Sequence, residues 1–321
     1  MKVSVIISNY NYAQYLPAAM NSVLAQTYHD IEIVVVDDGS TDNSREAIAQ
    51  FQEKAPDKIK AIFQANQGQG AAFNRGFEVS SGEIIAFLDA DDVWKPHKLQ
   101  RVVDTFSTPD VVGVMHQLEM IDGNGNASKN TPGDLWMPSE DLARVMIDTG
   151  HAWYFPPTSG LTYRRSALEK VLPMESDKWR LCADGCLVYC TAFLGKIKTL
   201  NEVLGCYRIH GANNYYFQSD TREEQAKWKA AMQMTNQSLN DFLERIGYQD
   251  RVDLSRNLDY QRTLYYWRGE WDTHQVQTIS SLILGWPFYT PLEKAKYLAR
   301  FLIKSAGFLT RPASRVERTT L

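Results

Sequence analysis

The sequence predicts an α/β fold: a three-layer sandwich around a mostly parallel central sheet, followed by a helical C-terminal region. The first observation is a regular alternation of short β-branched apolar runs and helical segments through the first hundred residues. The second is a long helical pattern that begins near residue 221. Because strands that alternate with helices need crossover connections, the alternation predicts parallel strands with right-handed crossovers.

Each of the four predicted strands is an apolar run of the kind found in a sheet covered on both faces. They are Lys2–Ser8, Ile31–Asp38, Ile59–Ala65 and Glu83–Asp89. A helical segment follows each strand, and Pro17 is compatible with the first turn of the first helix. Residues 40–44 offer capping side chains ahead of the second helix. The predicted helices are Tyr15–Gln26, a segment that ends near Lys54, Gly70–Ser80 and Pro96–Ser107.

The pattern is sparser beyond residue 108. Val111–Asn126 predicts a strand that ends in a turn rich in glycine and asparagine, and Thr221–Gly247 predicts a long helix. His151–Gly160 is aromatic and proline-rich, and forms either the wall of an acceptor site or a loop over the core. We therefore predict two halves of one domain, residues 1–108 and 109–218, and a helical region at 219–321.

Composition is that of an ordinary soluble globular protein. Of the 321 residues, 44% are hydrophobic and 22% are charged, so the chain can bury a sizeable core. The net charge of −4 gives no sign of nucleic-acid binding, and no apolar run is long enough to span a membrane. The opening "MKVSVIISNYNY" breaks at Asn9, too early for a signal peptide. We expect a cytoplasmic protein, and no pattern specifies an oligomeric state.

Polar residues follow three of the predicted strands. Asn9 and Tyr10 come after the first strand, Asp37 and Asp38 end the second, and Asp89–Asp92 end the fourth. In an open parallel sheet, ligands bind beyond the carboxyl ends of the strands. We therefore expect these residues to lie along one edge of the sheet and to form a site.

The stretch "FLDADDVW" places Asp89, Asp91 and Asp92 within four positions, with no basic neighbour before Lys95. Such a cluster is a solvated turn, a phosphate-transferring nucleophile or a metal site. A dinucleotide fingerprint is missing after the first strand. Two aspartates in D-x-D spacing suit Mg²⁺ or Mn²⁺, which takes one or two carboxylates together with the oxygens of a substrate diphosphate.

Several motifs occur in order along the chain: "VSVIISNYN", "IEIVVVDDGSTDNS", "NQGQGAAFNRGF", "SGEIIAFLDADDVWKP" and "YRIHGANN". Together they resemble a family 2 glycosyltransferase of the GT-A (Rossmann-like) fold, over about residues 3–215. The resemblance implies an inverting hexosyltransferase of the kind that acts in polysaccharide biosynthesis at the cell envelope. It also implies a nucleotide-sugar donor, most simply UDP-linked, a saccharide or lipid-linked acceptor, and Mn²⁺ or Mg²⁺ on the diphosphate.

The resemblance also implies roles for individual residues. Those assigned to the nucleotide are Ser8 and Tyr10 beside the base, Asp38 as acceptor of a hydrogen bond from uracil, Asn74, and Asp89 near the ribose and metal. Those assigned to the metal are Asp91, Asp89 and His210, the histidine reaching either the metal or the diphosphate. Asp92 is assigned a supporting role or a helix start.

Asp184 in "KWRLCADGCLVYC" matches the general base of the family, which removes the proton of the acceptor hydroxyl. The sequence departs from the family pattern here, because Ala183 replaces the glutamate that often precedes the base. It departs again at Phe73, where an arginine often precedes the asparagine, whereas here Arg75 follows it. Trp179 either stacks on an acceptor sugar or packs in the core.

The sequence is also compatible with two other functions. "DADDV" fits the D-x-D-x-[TV] pattern of phosphohydrolases that form an aspartyl phosphate, although that motif closes the first strand of its fold. The third hypothesis is a protein that binds a sugar nucleotide without turnover, because the residues around Asp184 depart from the family pattern.

The C-terminal stretch from Glu293 to Leu321 has a net charge of +5 on an otherwise acidic chain. Its basic residues are Lys294, Lys296, Arg300, Lys304, Arg311, Arg315 and Arg318. Lys296, Arg300 and Lys304 recur at helical spacing, beside Tyr297, Leu298, Phe301 and Leu302. This pattern indicates either peripheral contact with the inner face of a membrane or a solvated helix packed on the protein.

Overall fold

The computed structural model describes residues 1–127, 141–150, 155–211 and 221–309. These residues separate into two compact units. The first contains the described residues up to 143, from 155 to 211 and from 237 to 249, and the second contains 144–150, 221–236 and 250–309. Our three-part division of the chain stays a prediction. Residues 151–154, 212–214, Arg311, Arg315 and Arg318, named above, lie outside the described residues.

The first unit begins with the predicted alternation of strands and helices. Its elements are β1 (Val3–Asn9), α1 (Leu16–Leu24), β2 (Ile31–Asp37), α2 (Ser44–Lys54), β3 (Ile59–Phe63), α3 (Gln69–Val79) and β4 (Ile84–Asp89). The strands pair in parallel, β1 with both β2 and β4, and β2 with β3. The predicted bounds agree with these elements to within two residues, and α2 begins at Ser44, at the end of the predicted capping stretch.

The rest of the first unit completes an eight-stranded sheet. Its elements are β5 (Val93–Trp94), α4 (Lys98–Thr105), β6 (Val111–Ile121), β7 (Leu161–Arg164), α6 (Arg165–Val171), α7 (Ala183–Thr191) and β8 (Lys196–Arg208). Helix α5 (Leu142–Thr149) intervenes in sequence, and a short 3₁₀ helix, Thr158–Gly160, precedes β7. The strand order is β3-β2-β1-β4-β7-β6-β8-β5.

Strand direction decides which residues share an edge of this sheet. Strand β7 is antiparallel to both β4 and β6, β6 is parallel to β8, and β5 is antiparallel to β8. Six strands therefore run the same way, and β5 and β7 run the opposite way. The carboxyl ends of β1, β2, β4 and β8 thus lie at the edge where β5 and β7 begin.

Alternate residues of the buried strands supply the two faces of the sheet. Val3, Val5 and Ile7 of β1 pack with the buried side chains of α1, α2 and α4. On the opposite face, Val34 and Val36 of β2 pack against Ala72 of α3. Helices therefore cover both faces, and the mostly parallel sheet of the predicted three-layer sandwich is confirmed.

The second unit is helical. It contains residues of α8 (Arg222–Arg245), which also contributes to the first unit, and then α9 (Leu258–Arg268), α10 (Thr273–Gly285) and α11 (Pro291–Ala306). Its core is built from buried side chains of α9, α10 and α11, including Tyr265, Ile279 and Phe301. The predicted C-terminal helical region is confirmed. Among the helices that the structure describes, none combines the length and apolar character needed to cross a bilayer.

Candidate functional site

The residues that follow the strands meet at one edge of the sheet, as the parallel pairing requires. The register of β1 places Ser8 beside Asp89 of β4 and Asn9 beside Asp37 of β2. Ser8 Oγ donates to Asp89 Oδ1 at 3.3 Å, and Asn9 Nδ2 donates to Asp37 Oδ1 at 2.8 Å. The side chains at the ends of β1, β2 and β4 therefore form one continuous polar edge.

The three aspartates after β4 are all at least partly shielded from water. Asp91 and Asp92 are buried, and Asp89 is half-buried at the edge of the sheet. Burial raises the pKa of all three carboxyls, and the charge of Asp91 raises the pKa of both Asp89 and Asp92 further. Mutually repelling carboxylates in a buried cluster are stabilised by a nearby cation.

His210 contacts the second aspartate of the cluster. Its Nε2 lies 2.9 Å from Asp91 Oδ2, although the two residues are 119 positions apart. The imidazole is held on two sides: it stacks on the Tyr15 ring at 4.8 Å between centroids and meets the edge of Tyr12 at 5.5 Å. The predicted grouping of Asp91 with His210 is therefore present, in a fixed orientation.

The side chain of Asp92 hydrogen-bonds to neighbouring segments and so supports the turn after β4. Its Oδ1 accepts from the Arg208 backbone N–H at 2.8 Å, and its Oδ2 accepts from Ser159 Oγ at 2.6 Å. Arg208 Nε also donates to the carbonyl oxygen of Asp91 at 2.7 Å. The predicted supporting role agrees with these contacts. The helix-start alternative is wrong, because β5 follows Asp92 and the next helix begins at Lys98.

Asp184 lies in the first turn of α7, and its Oδ1 accepts from the Gly185 backbone N–H at 2.9 Å. Burial raises the pKa of Asp184 to about 6. Its charge in turn raises the pKa of Asp89, so the two carboxyls are electrostatic neighbours. The Thr158 hydroxyl lies within hydrogen-bonding reach of both carboxylates. A carboxylate with this pKa is deprotonated at neutral pH, yet still basic enough to accept a proton.

Gln69 joins the aspartate cluster to the helix that carries Asp184. Its Nε2 donates to Asp89 Oδ1 at 3.2 Å and lies 3.4 Å from Thr158 Oγ1. Its Oε1 accepts from the Ala183 backbone N–H, the first of α7, at 3.0 Å. One amide side chain therefore sets Asp89 and the start of α7 relative to each other.

Asp38 fixes the loop that leads to Gln69. Its Oδ1 accepts from Gln64 Nε2 at 2.7 Å and from the Gln67 N–H at 2.9 Å, and its Oδ2 accepts from the Gly68 N–H at 2.7 Å. Gly68 has a φ of +91°, and a Cβ there would lie 2.7 Å from the Arg180 backbone. Asp38 as a whole is 4% exposed. A hydrogen bond from a base to Asp38 stays a prediction.

The remaining predicted residues are less closely grouped. Tyr10 is exposed after β1, where a ring can cover a base. Asn74 lies on α3, with its Nδ2 donating to the Met174 carbonyl at 2.8 Å and its Oδ1 accepting from the Met174 N–H at 2.9 Å. Its amide thus holds the segment after α6, away from the aspartate contacts described above. Trp179 is 5% exposed and packs in the interior.

Four residues of the site had not been assigned from the sequence: Gln69, Thr158, Ser159 and Arg208. Thr158 and Ser159 lie in the 3₁₀ helix before the reversed strand β7, which brings them to the same edge as Asp89. Their signals in the sequence are the hydroxyls after the prolines of "FPPTSG" and the positions of Gln69 and Arg208 inside the motifs "NQGQGAAFNRGF" and "YRIHGANN".

The residues present fit a divalent cation that binds with a diphosphate. Among the described residues, no three His, Cys, Asp or Glu side chains form a preassembled metal cage. Magnesium typically takes one or two carboxylates and completes its coordination with phosphate oxygens and water. Asp91 offers one such carboxylate and His210 a neighbouring ring nitrogen, beside the desolvated carboxyl of Asp89.

The fold and this polar edge define a glycosyltransferase of the GT-A type, and comparison with known proteins bears this out. The model of the family described as "Glycosyl transferase family 2" matches residues 4–172, just over half of the chain. An uncharacterized glycosyltransferase of Nostoc sp. (strain PCC 7120) is 65% identical over 322 residues, which cover all of both chains. The chain belongs to glycosyl transferase family 2.

Two solved structures share the fold. S. aureus TarS 1–349 in complex with UDP-GlcNAc gives a TM-score of 0.55 at 18% identity, over 96% of this chain and 92% of that one. The mannosyltransferase PcManGT from Pyrobaculum calidifontis, in complex with GDP-Man and Mn²⁺, gives 0.54 at 16% identity, over 95% and 86%. These likenesses confirm the predicted GT-A fold.

Replacement of Gln69 by alanine is expected to slow sugar transfer by roughly 10- to 100-fold, because it frees α7 from Asp89 and lets Asp184, the predicted base, move from its position. The affinity for Mn²⁺–UDP should fall much less. Gln67→Ala, in the same loop and with an exposed side chain, is the matched control. Wild-type transfer by Gln69→Ala, measured beside calorimetric nucleotide binding, would show that the link has no role in positioning.

Proposed function

We propose that the protein is a metal-dependent, inverting glycosyltransferase that moves a hexose from a nucleotide donor, most simply UDP-linked, to a hydroxyl group. The observation that carries the proposal is the shared edge of the sheet. It brings the Asp91–His210 contact and the raised-pKa carboxyl of Asp184 close to Asp89. The solved neighbours with UDP-GlcNAc and with GDP-Man and Mn²⁺ support a nucleotide-sugar donor and a divalent ion.

Asp184 acts as the base in this proposal. Its deprotonated carboxylate takes the proton of the acceptor hydroxyl as that oxygen attacks the anomeric carbon. The bond from the anomeric carbon to the diphosphate oxygen breaks on the opposite face, and the nucleoside diphosphate leaves with the electron pair. Configuration at the anomeric carbon is therefore inverted.

Asp91 and His210 would hold Mn²⁺ or Mg²⁺, with Asp89 near both the metal and the ribose. The bound ion would neutralise the charge that develops on the leaving diphosphate. Arg208 and Asp92 keep the turn in place, because they bind its backbone and the neighbouring Ser159. Ser8, Tyr10, Asp38 and Asn74 form the proposed nucleotide side.

The proposed acceptor is a saccharide or a lipid-linked saccharide, as in polysaccharide assembly at the cell envelope. We place the enzyme in the cytoplasm, with peripheral contact to the inner face of the membrane through its C-terminal segment. The aspartyl-phosphate alternative is disfavoured, because Asp89 ends the fourth strand rather than the first and the chain belongs to a glycosyltransferase family.

A thermal-shift screen of nucleotide sugars, with Mn²⁺ or Mg²⁺ present, tests the proposal. A ligand that binds only the folded state raises stability by mass action, by about 2.7 kcal/mol at a hundred times its Kd. We expect a UDP-sugar to raise the melting temperature only with metal, and the enzyme then to release UDP from that donor. Binding without any release of UDP, with or without saccharide acceptors, would instead indicate a sugar-nucleotide binder.

A further inference from the structure

Helix α11 has an inner face that belongs to the core of the second unit. Phe301 and Ser305 are buried there, and Tyr297 and Leu298 pack against the same cluster. Tyr297 also stacks on Tyr289 at 4.4 Å between ring centroids. Four apolar residues were placed beside the basic row by the sequence. Of these, Phe301 is buried in this core, and Tyr297 and Leu298 are partly buried against it, so these three lie on the inner face.

The outer face of α11 is nevertheless apolar. Leu292 is 80% exposed and Ile303 is 75% exposed, and three helical turns bring these two residues to the same side. Leu302 is also exposed, at 40%. The exposed residues between and beside them are small, namely Ala295, Ala299 and Ala306. The result is a smooth apolar stripe along four turns, which water solvates poorly.

A row of cations borders this stripe on one side. Lys296, Arg300 and Lys304 are exposed and follow one another at four-residue intervals, so they form a line along the helix. Lys304 extends over the ring of Tyr266, 3.7 Å from its centroid, and remains exposed. Glu293, the acidic residue of α11, is engaged in the capping box with Thr290. The helix is thus cationic on a chain whose net charge is −4.

We propose that this outer face of α11 docks on an anionic lipid bilayer, with the helix parallel to the surface. Leu292, Leu302 and Ile303 enter the boundary between headgroups and acyl chains, and Lys296 and Arg300 contact the anionic headgroups. A helix with an apolar stripe and a cationic border is suited to this interface. A second copy of the chain fits the stripe less well, because it would bring an identical cationic row.

This proposal names the surface that makes the membrane contact of the proposed function. It rests on the proposed function only for its biological purpose. Binding to vesicles requires neither donor nor acceptor. Each protein preparation is also assayed for the rise in melting temperature with Mn²⁺–UDP, so that loss of lipid binding and loss of nucleotide binding are seen separately.

The test is sedimentation of the full chain with vesicles of phosphatidylcholine, with and without one part in three of phosphatidylglycerol, at low and high salt. We expect binding to the anionic vesicles that salt weakens. Leu292→Ser combined with Ile303→Ser should reduce the affinity by roughly tenfold or more, since two inserting side chains are lost. Lys296→Glu combined with Arg300→Glu should reduce it at least as much at low salt.

Two control variants separate the contribution of the outer face of α11 to lipid binding from that of the net charge and from that of the basic residues beyond α11. Lys58→Glu combined with Lys229→Glu changes the net charge equally at exposed positions outside α11, and should bind as the wild type does. Ser in place of Arg311, Arg315 and Arg318 removes the basic residues beyond α11. If only that tail variant loses binding, or if both α11 variants bind like the wild type, the proposal is wrong. Dimers that dissociate on Leu292→Ser with Ile303→Ser, without lipid binding, would assign the face to a second copy.

Discussion

Asp184→Asn is expected to lower the rate of sugar transfer by roughly 10²- to 10⁴-fold, the usual contribution of a positioned base. Asparagine has nearly the same size and can still accept the hydrogen bond from the Gly185 N–H, but it cannot take a proton. The affinity for Mn²⁺–UDP should change little, because the base acts on the acceptor hydroxyl. Release of UDP, with the donor found by the thermal-shift screen, measures the rate, and calorimetry measures the affinity.

The pH dependence of the wild type belongs to the same prediction. Because burial raises the pKa of Asp184 to about 6, this proposed base is protonated below that pH and deprotonated above it. The transfer rate should therefore rise with pH through about 6 and level off near neutrality, at constant saturation with donor.

Asp177→Asn is the matched control, since Asp177 is exposed a few residues before α7. It should transfer sugar at the wild-type rate. A contrary outcome is an Asp184→Asn protein that melts lower yet keeps its transfer rate. Asp184 would then be a structural residue of the α7 terminus, worth about 1 kcal/mol of stability. Glu175 would become the next candidate for the base, together with Asp177 if Asp177→Asn also transfers sugar slowly.

Asp91→Asn is expected to weaken Mn²⁺–UDP binding by roughly 10- to 100-fold or more. Loss of a residue that merely orients a metal ligand commonly costs that much, so loss of a direct ligand should cost no less. The fold should persist, because asparagine can still accept from His210 Nε2 and the turn is held by Asp92 and Arg208. Calorimetric titration of UDP with Mn²⁺ gives the affinity, and circular dichroism checks the fold.

Titration with a chelator present separates the metal from the nucleotide. Without metal, the wild type and Asp91→Asn should bind UDP equally weakly, and Asp57→Asn, at an exposed position, should behave as the wild type throughout. Undiminished affinity of Asp91→Asn for Mn²⁺–UDP would remove Asp91 from the metal site.

The parallel half of the sheet and the aspartates at its edge are predictable from local sequence pattern. Hydrophobic periodicity and residue chemistry are local properties of a sequence. A β-branched run between helical segments predicts a buried parallel strand, and the carboxyl end of such a strand lies at the edge of the sheet where ligands bind. Asp38, Asp89 and Asp91 could therefore be placed without coordinates. Ser8 was assigned through the family motif, and the pairing of β1 with β4 places it beside Asp89.

Local sequence pattern did not identify the distant residues that complete the site or the face of the last helix that meets solvent. Gln69 reaches Ala183 across 114 positions, and Asp92 is held by Ser159 and Arg208 because β7 and β8 return to the edge at which β4 ends. On α11, helical spacing identified the basic row, but Phe301 turned out to be core and Ile303 exposed. Sequence spacing defines which residues share a side of a helix or strand. Which side is buried depends on what packs against it, and that partner comes from elsewhere in the chain.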